Sequence, residues 1–182
     1  MTKPRKVIVH IATSADGYIA RSDGDLEWLT SRPAPAGFYG MNTFMRSIDT
    51  KVLGRKTYEV SRRMGAKFGS EGRSIVFSRQ SPPADAPPGV EFVSEAIGPF
   101  ISRLREQPGK DIWLMGGGDI IASFLDERAI DEFVISVAPV FIGDGIPLIA
   151  RRHRHVPLES RSTERFEDGL VQLRYGVLNQ PS

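Results

Sequence analysis

The sequence contains three places where an apolar run leads directly into glycine, hydroxyl or cationic residues. In residues 111–125, DIWLMGGGDIIASFL, the run passes through Gly116, Gly117 and Gly118 into a helical pattern. Glycine permits close approach of a ligand to the backbone because it has no Cβ. The start of a helix adds unpaired N–H groups and a positive dipole end, which suit a pyrophosphate. The alternative is a tight strand-to-helix turn that binds nothing.

Two further apolar runs, LGRKTY at residues 53–58 and IVFSR at residues 75–79, end in phosphate-suited groups. In an open α/β sheet, ligands bind beyond the carboxyl ends of the strands. Cations and hydroxyls at those ends suit phosphate oxygens. Each run alone is more often a strand that ends in a surface arginine. The three together favour a phosphate-bearing ligand.

The pattern of elements predicts a mainly parallel sheet that would bring these three ends together. Apolar, β-rich runs predict strands at residues 6–13, 50–54, 73–77, 90–93, 111–115 and 130–140. Helical patterns occupy residues 38–48, 57–64, 96–105 and 116–125. The segments on either side of Asp168-Gly169 alternate in polarity, which predicts an antiparallel hairpin at the edge of the sheet.

Length and composition fit a globular protein with one domain over residues 1–182. Hydrophobic residues make up 40% and charged residues 25% of the chain, as in folded domains. The absence of cysteine excludes disulfides and thiolate metal sites and agrees with a reducing compartment. No run approaches the roughly 20 apolar residues that span a bilayer, and residues 1–13 lack the features of a signal peptide. We therefore expect a cytoplasmic protein with no membrane partner.

The formal net charge is +2, and the arginines are scattered except in residues 151–155, RRHRH. Basic surface runs are usually solvated loops. A phosphate or RNA patch is the alternative, although no aromatic residues interleave with the cations as in single-stranded nucleic-acid sites. His153 and His155 have no carboxylate at a metal-binding spacing. Neither a nucleic-acid partner nor a bound metal is expected.

The same motifs carry a resemblance to a known family. GRKTYE, IVFSR and LMGGGDIIASFL resemble, in this order, the cofactor-contacting motifs of dihydrofolate reductases. ATSADGYIA and IDEFVISVAPVFIGDGIPLI are more similar to the reductase domain of riboflavin-biosynthesis deaminase–reductases and its stand-alone relatives. The resemblance covers residues 7–175. It implies the dihydrofolate-reductase-like three-layer α/β fold, with a mostly parallel central sheet, helices on both faces and a C-terminal antiparallel hairpin.

The resemblance also implies NADPH as the cofactor and assigns residues to it by position. Beside the nicotinamide would lie Ala12 and Gly17. Phosphate groups would be held by Gly54, Arg55 and Thr57, the adenosine 2′-phosphate by Ser78 and Arg79, and the pyrophosphate by Gly116, Gly117, Gly118, Asp119 and Ile120. Arginine side chains would favour NADPH over NADH because the 2′-phosphate adds negative charge. Asp119 stands where dihydrofolate reductases often have arginine, so only its backbone N–H is carried over.

The residues that would contact the substrate decide which reaction is expected. Dihydrofolate reductases place an acid on the first helix against the pterin, and residues 38–48 contain no carboxylate. Riboflavin-type domains reduce the ribose carbonyl of a pyrimidine ribosylamine phosphate, and residues 14–17, SADG, match their Ser-x-Asp-Gly motif beside the substrate. Asp16 is therefore the candidate for substrate hydrogen bonding or proton handling, with an Asx turn as the alternative. Trp28 and Phe44 are candidate substrate contacts, with a place in the core as the alternative for both.

We therefore expect an NADPH-dependent reductase of a small molecule, either a ribosylaminopyrimidine precursor of riboflavin or a pteridine-like compound. The alternatives are dihydrofolate reductase activity, a non-catalytic NADPH-binding protein, and an assembly module built on the apolar run 130–149. That run, with Pro139 and the Gly143-Asp144-Gly145 turn, also predicts a homodimer like that of the riboflavin-type domains. The zinc motif of the deaminase half, with its Cys-x-x-Cys, does not occur in this sequence.

Overall fold

A computed structural model describes residues 4–33, 35–70 and 72–178 of the chain. In chain order the elements are β1 (Val7–Ser14), β2 (Tyr18–Ala20), α1 (Glu27–Thr30), α2 (Met41–Ser47), β3 (Ile48–Gly54), α3 (Arg55–Arg63), β4 (Arg73–Phe77), β5 (Val90–Val93), α4 (Ile97–Glu106), β6 (Asp111–Gly116), α5 (Gly118–Asp126), β7 (Glu132–Ala138), β8 (Ile146–Pro147), β9 (Leu158–Arg165) and β10 (Val171–Val177).

Eight of the strands form one sheet in the order β5-β4-β3-β6-β1-β7-β10-β9, and β2 and β8 form a small second sheet. The six strands from β5 to β7 are parallel to one another. Strand β10 runs antiparallel to both β7 and β9. The predicted parallel sheet with a C-terminal antiparallel hairpin at its edge is therefore confirmed.

The helices cover both faces of the sheet, as predicted. Val52 of β3 and Leu114 of β6 belong to a core that includes side chains of α4 and α5. The next residues, Leu53 and Met115, pack with Tyr58 of α3 in a separate cluster. Since successive side chains of a strand point to opposite faces, α3 lies on one face and α5 on the other. The sheet thus has a topological switch point between β3 and β6, which is where ligands bind in open α/β sheets.

Some element boundaries differ from the predictions for local reasons. The helix predicted over residues 38–48 begins only at Met41, because Phe38 and Tyr39 have left-handed φ values of 51° and 54° that a right-handed helix cannot contain. Helix α3 begins at Arg55 rather than residue 57, since Gly54 at the strand end is already its N-cap. Strand β7 ends at Ala138, before a proline that has no N–H for the ladder.

Segment 32–40 is fastened to the C-terminal hairpin by one carboxylate. Arg32 Nη2 donates to the carbonyl and the Oδ2 of Asp168 at 2.7 and 2.9 Å. The Tyr39 hydroxyl donates to the same Oδ2 at 2.6 Å. The tight turn that the sequence predicts at Asp168 therefore also holds the connection between α1 and α2.

The basic run 151–155 lies against the end of α5. Arg154 Nη2 donates to Asp126 Oδ1 at 2.9 Å, and Arg152 forms a second ion pair with the same carboxylate. Part of the positive charge of this run is thus neutralised within the chain. Within the parts of the chain that the structure describes, no helix is long and apolar enough to cross a membrane.

Candidate functional site

A cavity of about 970 Å³ opens along the carboxyl ends of five neighbouring strands. Residues within two positions of the end of each strand line it, in sheet order: Val93 of β5, Phe77 of β4, Gly54 of β3, Met115 of β6 and Ala12 of β1. The cavity therefore crosses the switch point between β3 and β6, the position at which this kind of sheet binds ligands.

Three helices begin at the cavity. The N-cap residues of α3, α4 and α5 are Gly54, Ala96 and Gly117, and all three line it. None of these three N-cap residues makes a side-chain capping hydrogen bond. Each helix start therefore presents N–H groups without a side-chain cap, together with the positive end of its dipole. This arrangement stabilises negative charge in the cavity.

Cations and hydroxyls lie at the same end of the site. The cavity lining includes Arg55, Lys56 and Arg79. The Arg55 guanidinium is held at the strand ends, where its Nη1 donates to the Ser81 carbonyl at 3.0 Å and it lies 5.6 Å from the centre of the Phe92 ring. The cation-rich part of the cavity is thus next to β4 and β5, and together with the helix starts it suits an extended polyanion.

The glycine triplet 116–118 joins β6 to α5 beside the switch point. The peptide bond between Gly116 and Gly117 is cis. A Cβ on Gly117 would lie 3.2 Å from Thr57 Oγ1 and 3.7 Å from Ile19 Cδ1. Gly117 is therefore the point where β2, α3 and the glycine loop meet beside the cavity.

Gly118 is required for a reason that the sequence did not reveal. A Cβ at this position would lie 2.4 Å from the Pro147 carbonyl oxygen. The Gly118 carbonyl also accepts a hydrogen bond of 3.1 Å from the Ala150 N–H. The sequence predicts that a ligand approaches the backbone closely at this glycine. In the structure, segment 147–150 of the chain itself makes this close approach.

The structure brings most of the predicted cofactor residues to one cavity. Those that line it are Ala12, Gly54, Arg55, Thr57, Ser78, Arg79, Gly117, Gly118, Asp119 and Ile120. Gly116 is buried beneath the loop and is not part of the lining. Gly17 is exposed in the β1–β2 turn, where its φ of +88° favours glycine, and it does not line the cavity either. The Ser78 hydroxyl already bonds its own turn, at 3.0 Å from Gln80 N.

Asp16 lies outside the cavity lining and binds backbone. Its carboxylate accepts hydrogen bonds from the N–H groups of Gly143, at 2.8 Å, and Ile142, at 3.2 Å. The Ser14 side chain, followed by these two N–H groups, holds the pKa of Asp16 below its usual range. The side chain is fully exposed and ionised at neutral pH. In the structure Asp16 connects the β1–β2 turn to the loop that contains Gly143. Its hydrogen bonds are therefore not limited to an Asx turn within its own segment.

The two predicted aromatic substrate contacts are part of the packing. Trp28 of α1 is 8% exposed and is not among the lining residues. Phe44 of α2 packs edge-on against the His10 ring, with centroids 4.6 Å apart, and against Trp113, at 5.6 Å. It does not line the cavity either. Trp28 thus occupies the core position that the sequence left open as the alternative, whereas Phe44 is half-buried between His10 and Trp113.

The sequence reasoning missed the apolar part of the cavity, which we call the apolar compartment. Its side chains come from β2, α1 and its N-cap, α3 and its C-cap, and β6: Ile19, Leu26, Leu29, Val60, Met64 and Met115. A Cβ on Gly24 would lie 3.7 Å from Val60 Cγ2, so the segment before α1 contacts α3 at this point. A signal was present, because Thr57, Val60, Ser61 and Met64 follow the i, i+3, i+4, i+7 spacing of one helical face.

Comparison with known proteins agrees with this fold. Residues 5–172 match the family described as the RibD C-terminal domain. The uncharacterised Bacillus subtilis protein YwjB is 36% identical over 171 residues, which cover 94% of this chain and 97% of YwjB. A crystal structure from Shewanella sp. PV-4, provisionally named a riboflavin biosynthesis protein, is 30% identical with a TM-score of 0.82, and the match covers 96% of this chain and 99% of that one.

The fold extends to a more distant enzyme. Enterococcus faecalis dihydrofolate reductase, solved with NADP(H) and RAB-propyl, is 20% identical with a TM-score of 0.66, and the match covers 96% of this chain and 97% of that one. At this identity the likeness shows the fold alone, and it confirms the predicted dihydrofolate-reductase-like architecture. From the match over residues 5–172 and the 36% identity to YwjB, we conclude that the chain belongs to the RibD C-terminal domain family.

Proposed function

We propose that the chain is an NADPH-dependent reductase that acts on a small carbonyl or heterocyclic compound. The observation that carries the proposal is the cavity at the switch point, where three helix starts and three cations face one space. Membership of the RibD C-terminal domain family and the dihydrofolate-reductase-like fold support a reductase. The Enterococcus relative was solved with NADP(H), which supports the choice of cofactor.

The residues present fit NADPH. A dinucleotide needs anion-binding groups along its length, and the helix starts at Gly54, Ala96 and Gly117 provide them. Arg79, which follows β4, would hold the 2′-phosphate, and Thr57 would meet a phosphate beside the glycine loop. Asp119 lies in the first turn of α5, where its charge opposes a phosphate, so its contribution is confined to its backbone N–H.

NADPH bound here would supply the hydride that reduces a C=O or C=N carbon of the substrate. The chain's part is to exclude water and to orient the two molecules. Ile11, Ile19 and Met115 form apolar walls near the glycine loop. Asp16 acts on this site as a positioning residue, because it holds the loop at Ile142 and Gly143 rather than touching the cavity.

The same observations give less support to two other functions. Dihydrofolate reductase activity calls for a carboxylate against the pterin. Among the described lining residues the acids are Glu95 and Asp119, both at the starts of helices and not in the apolar compartment. A non-catalytic NADPH-binding protein would need no substrate space, whereas the apolar compartment leaves room beside the cofactor end.

Titration with NADPH and NADH, followed by quenching of Trp28 and Trp113 emission, tests the proposal. We expect tighter binding of NADPH. Arg79→Ala should weaken NADPH by roughly tenfold or more, the size of a lost charge-assisted hydrogen bond, and leave NADH nearly unchanged. Arg63→Ala, an exposed cation outside the lining, is the matched control. Equal affinity for both nucleotides would contradict the 2′-phosphate assignment, and binding of neither would overturn the proposal.

A further inference from the structure

The cavity separates charged from uncharged side chains. Its charged lining residues lie at strand ends and helix starts: Arg55, Lys56, Arg79, Glu95 and Asp119. The apolar compartment is lined instead by three branched aliphatic residues from β2 and α1, by Val60, and by two methionines. The polar lining residues nearest to its members along the chain are Ser22, Lys56, Thr57 and Ser61. Lys56 is the charged one among them, one turn before Val60 on α3 and nearer to the helix start.

Contacts hold two of these charged residues, Arg55 and Glu95, away from the compartment. Arg55 Nε is paired with Glu59 at 2.5 Å, and its Nη1 donates to the Ser81 carbonyl at the β4–β5 side. Both oxygens of Glu95 accept from Arg103 Nη2 at 2.8 Å. These charges already have partners at the cofactor end, so turning one of them toward the compartment would break an existing ion pair.

Burial of a charge without a partner costs several kcal/mol. None of the six side chains that define the apolar compartment can form an ion pair with a phosphate or carboxylate of a substrate, or with a protonated pterin. Apolar substrate surface, in contrast, is stabilised by contact with Leu26, Leu29 and Val60. Met64 and Met115 add flexible, polarisable surface that adapts to different shapes, and Met64 is 55% exposed and available for contact.

We propose that the apolar compartment takes an uncharged carbonyl compound with an apolar body, in preference to a phosphorylated ribosylaminopyrimidine or a folate. The Ser61 hydroxyl provides a hydrogen-bond donor for a carbonyl oxygen, whereas the Ser22 hydroxyl donates to Asp144 Oδ2 at 3.3 Å. This inference rests on the proposed function, since it assigns the space beside the NADPH site. It separates the chain from reductases whose substrates carry a phosphate.

A matched pair of probes tests the charge preference: 4-methylbenzaldehyde and 4-carboxybenzaldehyde, which differ by a methyl group against a carboxylate. Calorimetry measures their binding to the full chain saturated with NADP⁺, and NADPH oxidation measures their reduction. We expect at least a tenfold preference for the uncharged aldehyde in both measurements. Dihydrofolate and the phosphorylated ribosylaminopyrimidine, added as competitors, should bind more weakly than the uncharged aldehyde.

Two variants at one exposed position provide the control. Met64→Lys places a cation in the compartment and should shift the binding preference toward 4-carboxybenzaldehyde by at least tenfold. Met64→Gln has a similar length without charge and should leave the preference for the uncharged probe in place. Preference for the charged compounds, an equal shift in both variants, or binding of neither aldehyde to a chain that binds NADP⁺ would overturn the inference alone. Failure to bind either nucleotide would overturn the proposed function, and the inference would fall with it.

Discussion

His10 is a buried ionisable group in the middle of the sheet. It lies on β1 and is 6% exposed, with the Phe44 ring 4.6 Å from its own. Its Nδ1 has no hydrogen-bond partner within the described residues. Burial, and then the positive charge of Arg174, lower the pKa of His10 from its ordinary 6.5 to about 4. The imidazole is therefore neutral in the folded protein at physiological pH.

This pKa predicts a loss of stability in mild acid. Between pH 6.5 and 4 the unfolded chain binds a proton at His10 that the folded chain does not, so the free energy of unfolding falls as the pH falls. The full effect of His10 is about 3 kcal/mol. Chemical denaturation at pH 7 and pH 4.5 should show a smaller loss for His10→Leu than for the natural chain. His153→Gln, at an exposed histidine, should behave like the natural chain, and an NMR titration midpoint of His10 near 6.5 would contradict the prediction.

Individual site residues were predictable where they lie at or just after the end of a strand. Arg55, Thr57 and Arg79 follow apolar runs, and strand ends in a parallel sheet must meet at one edge. Partners distant in sequence were not predictable. Asp16 binds the backbone of a loop 126 residues away, which local pattern cannot indicate. A tryptophan such as Trp28 can line a pocket or pack in a core, and the local sequence is the same in both cases. Only the tertiary fold decides which of the two places it takes.

At the scale of elements, the junction between β6 and α5 depends on a glycine that contacts the chain itself. Gly118→Ala would place a methyl group 2.4 Å from the Pro147 carbonyl oxygen. We expect a loss of about 1–3 kcal/mol from overpacking, and a melting temperature lower by about 2–4 °C per kcal/mol. Gly54→Ala is the matched control, because its new Cβ would meet Ile120 at an ordinary 3.7 Å. Equal melting temperatures for the two variants would contradict this account of Gly118.

The order and type of the strands were largely readable from the sequence, whereas ends and connections were not. Strand β4 has the predicted bounds, 73–77, because charged and polar residues flank a short apolar run. The helix predicted from residue 38 starts three residues later, since apolar spacing carries no information about the positive φ values of Phe38 and Tyr39. Strand β9 was predicted from the turn at Asp168-Gly169 and the alternating segments around it, but its ends could not be predicted, because all eight of its residues are exposed and no apolar face marks them.

At the scale of the whole molecule, one aromatic side chain is largely exposed on a loop that hydrogen bonds hold in place. Phe141 is 78% exposed and lies in the run 130–149 that predicts a homodimer. The loop around it is held at both ends: Ala15 N donates to the Val140 carbonyl at 2.8 Å, and the Asp16 carboxylate accepts from Ile142 and Gly143. A large apolar side chain on a rigid loop loses little entropy when it is covered, which is typical of an anchor residue in a protein interface.

We therefore propose that Phe141 is an anchor of a homodimer. Phe141→Asp should weaken the dimer by about 2 kcal/mol or more, which corresponds to a roughly thirtyfold larger dissociation constant. Phe38→Asp is the matched control, because Phe38 is also exposed, at 53%, but lies outside the run 130–149 and on a different loop. Sedimentation equilibrium at micromolar concentration measures both. A monomeric natural chain would contradict the dimer itself, and a dimer weakened equally by the two substitutions would show that Phe141 is not its anchor.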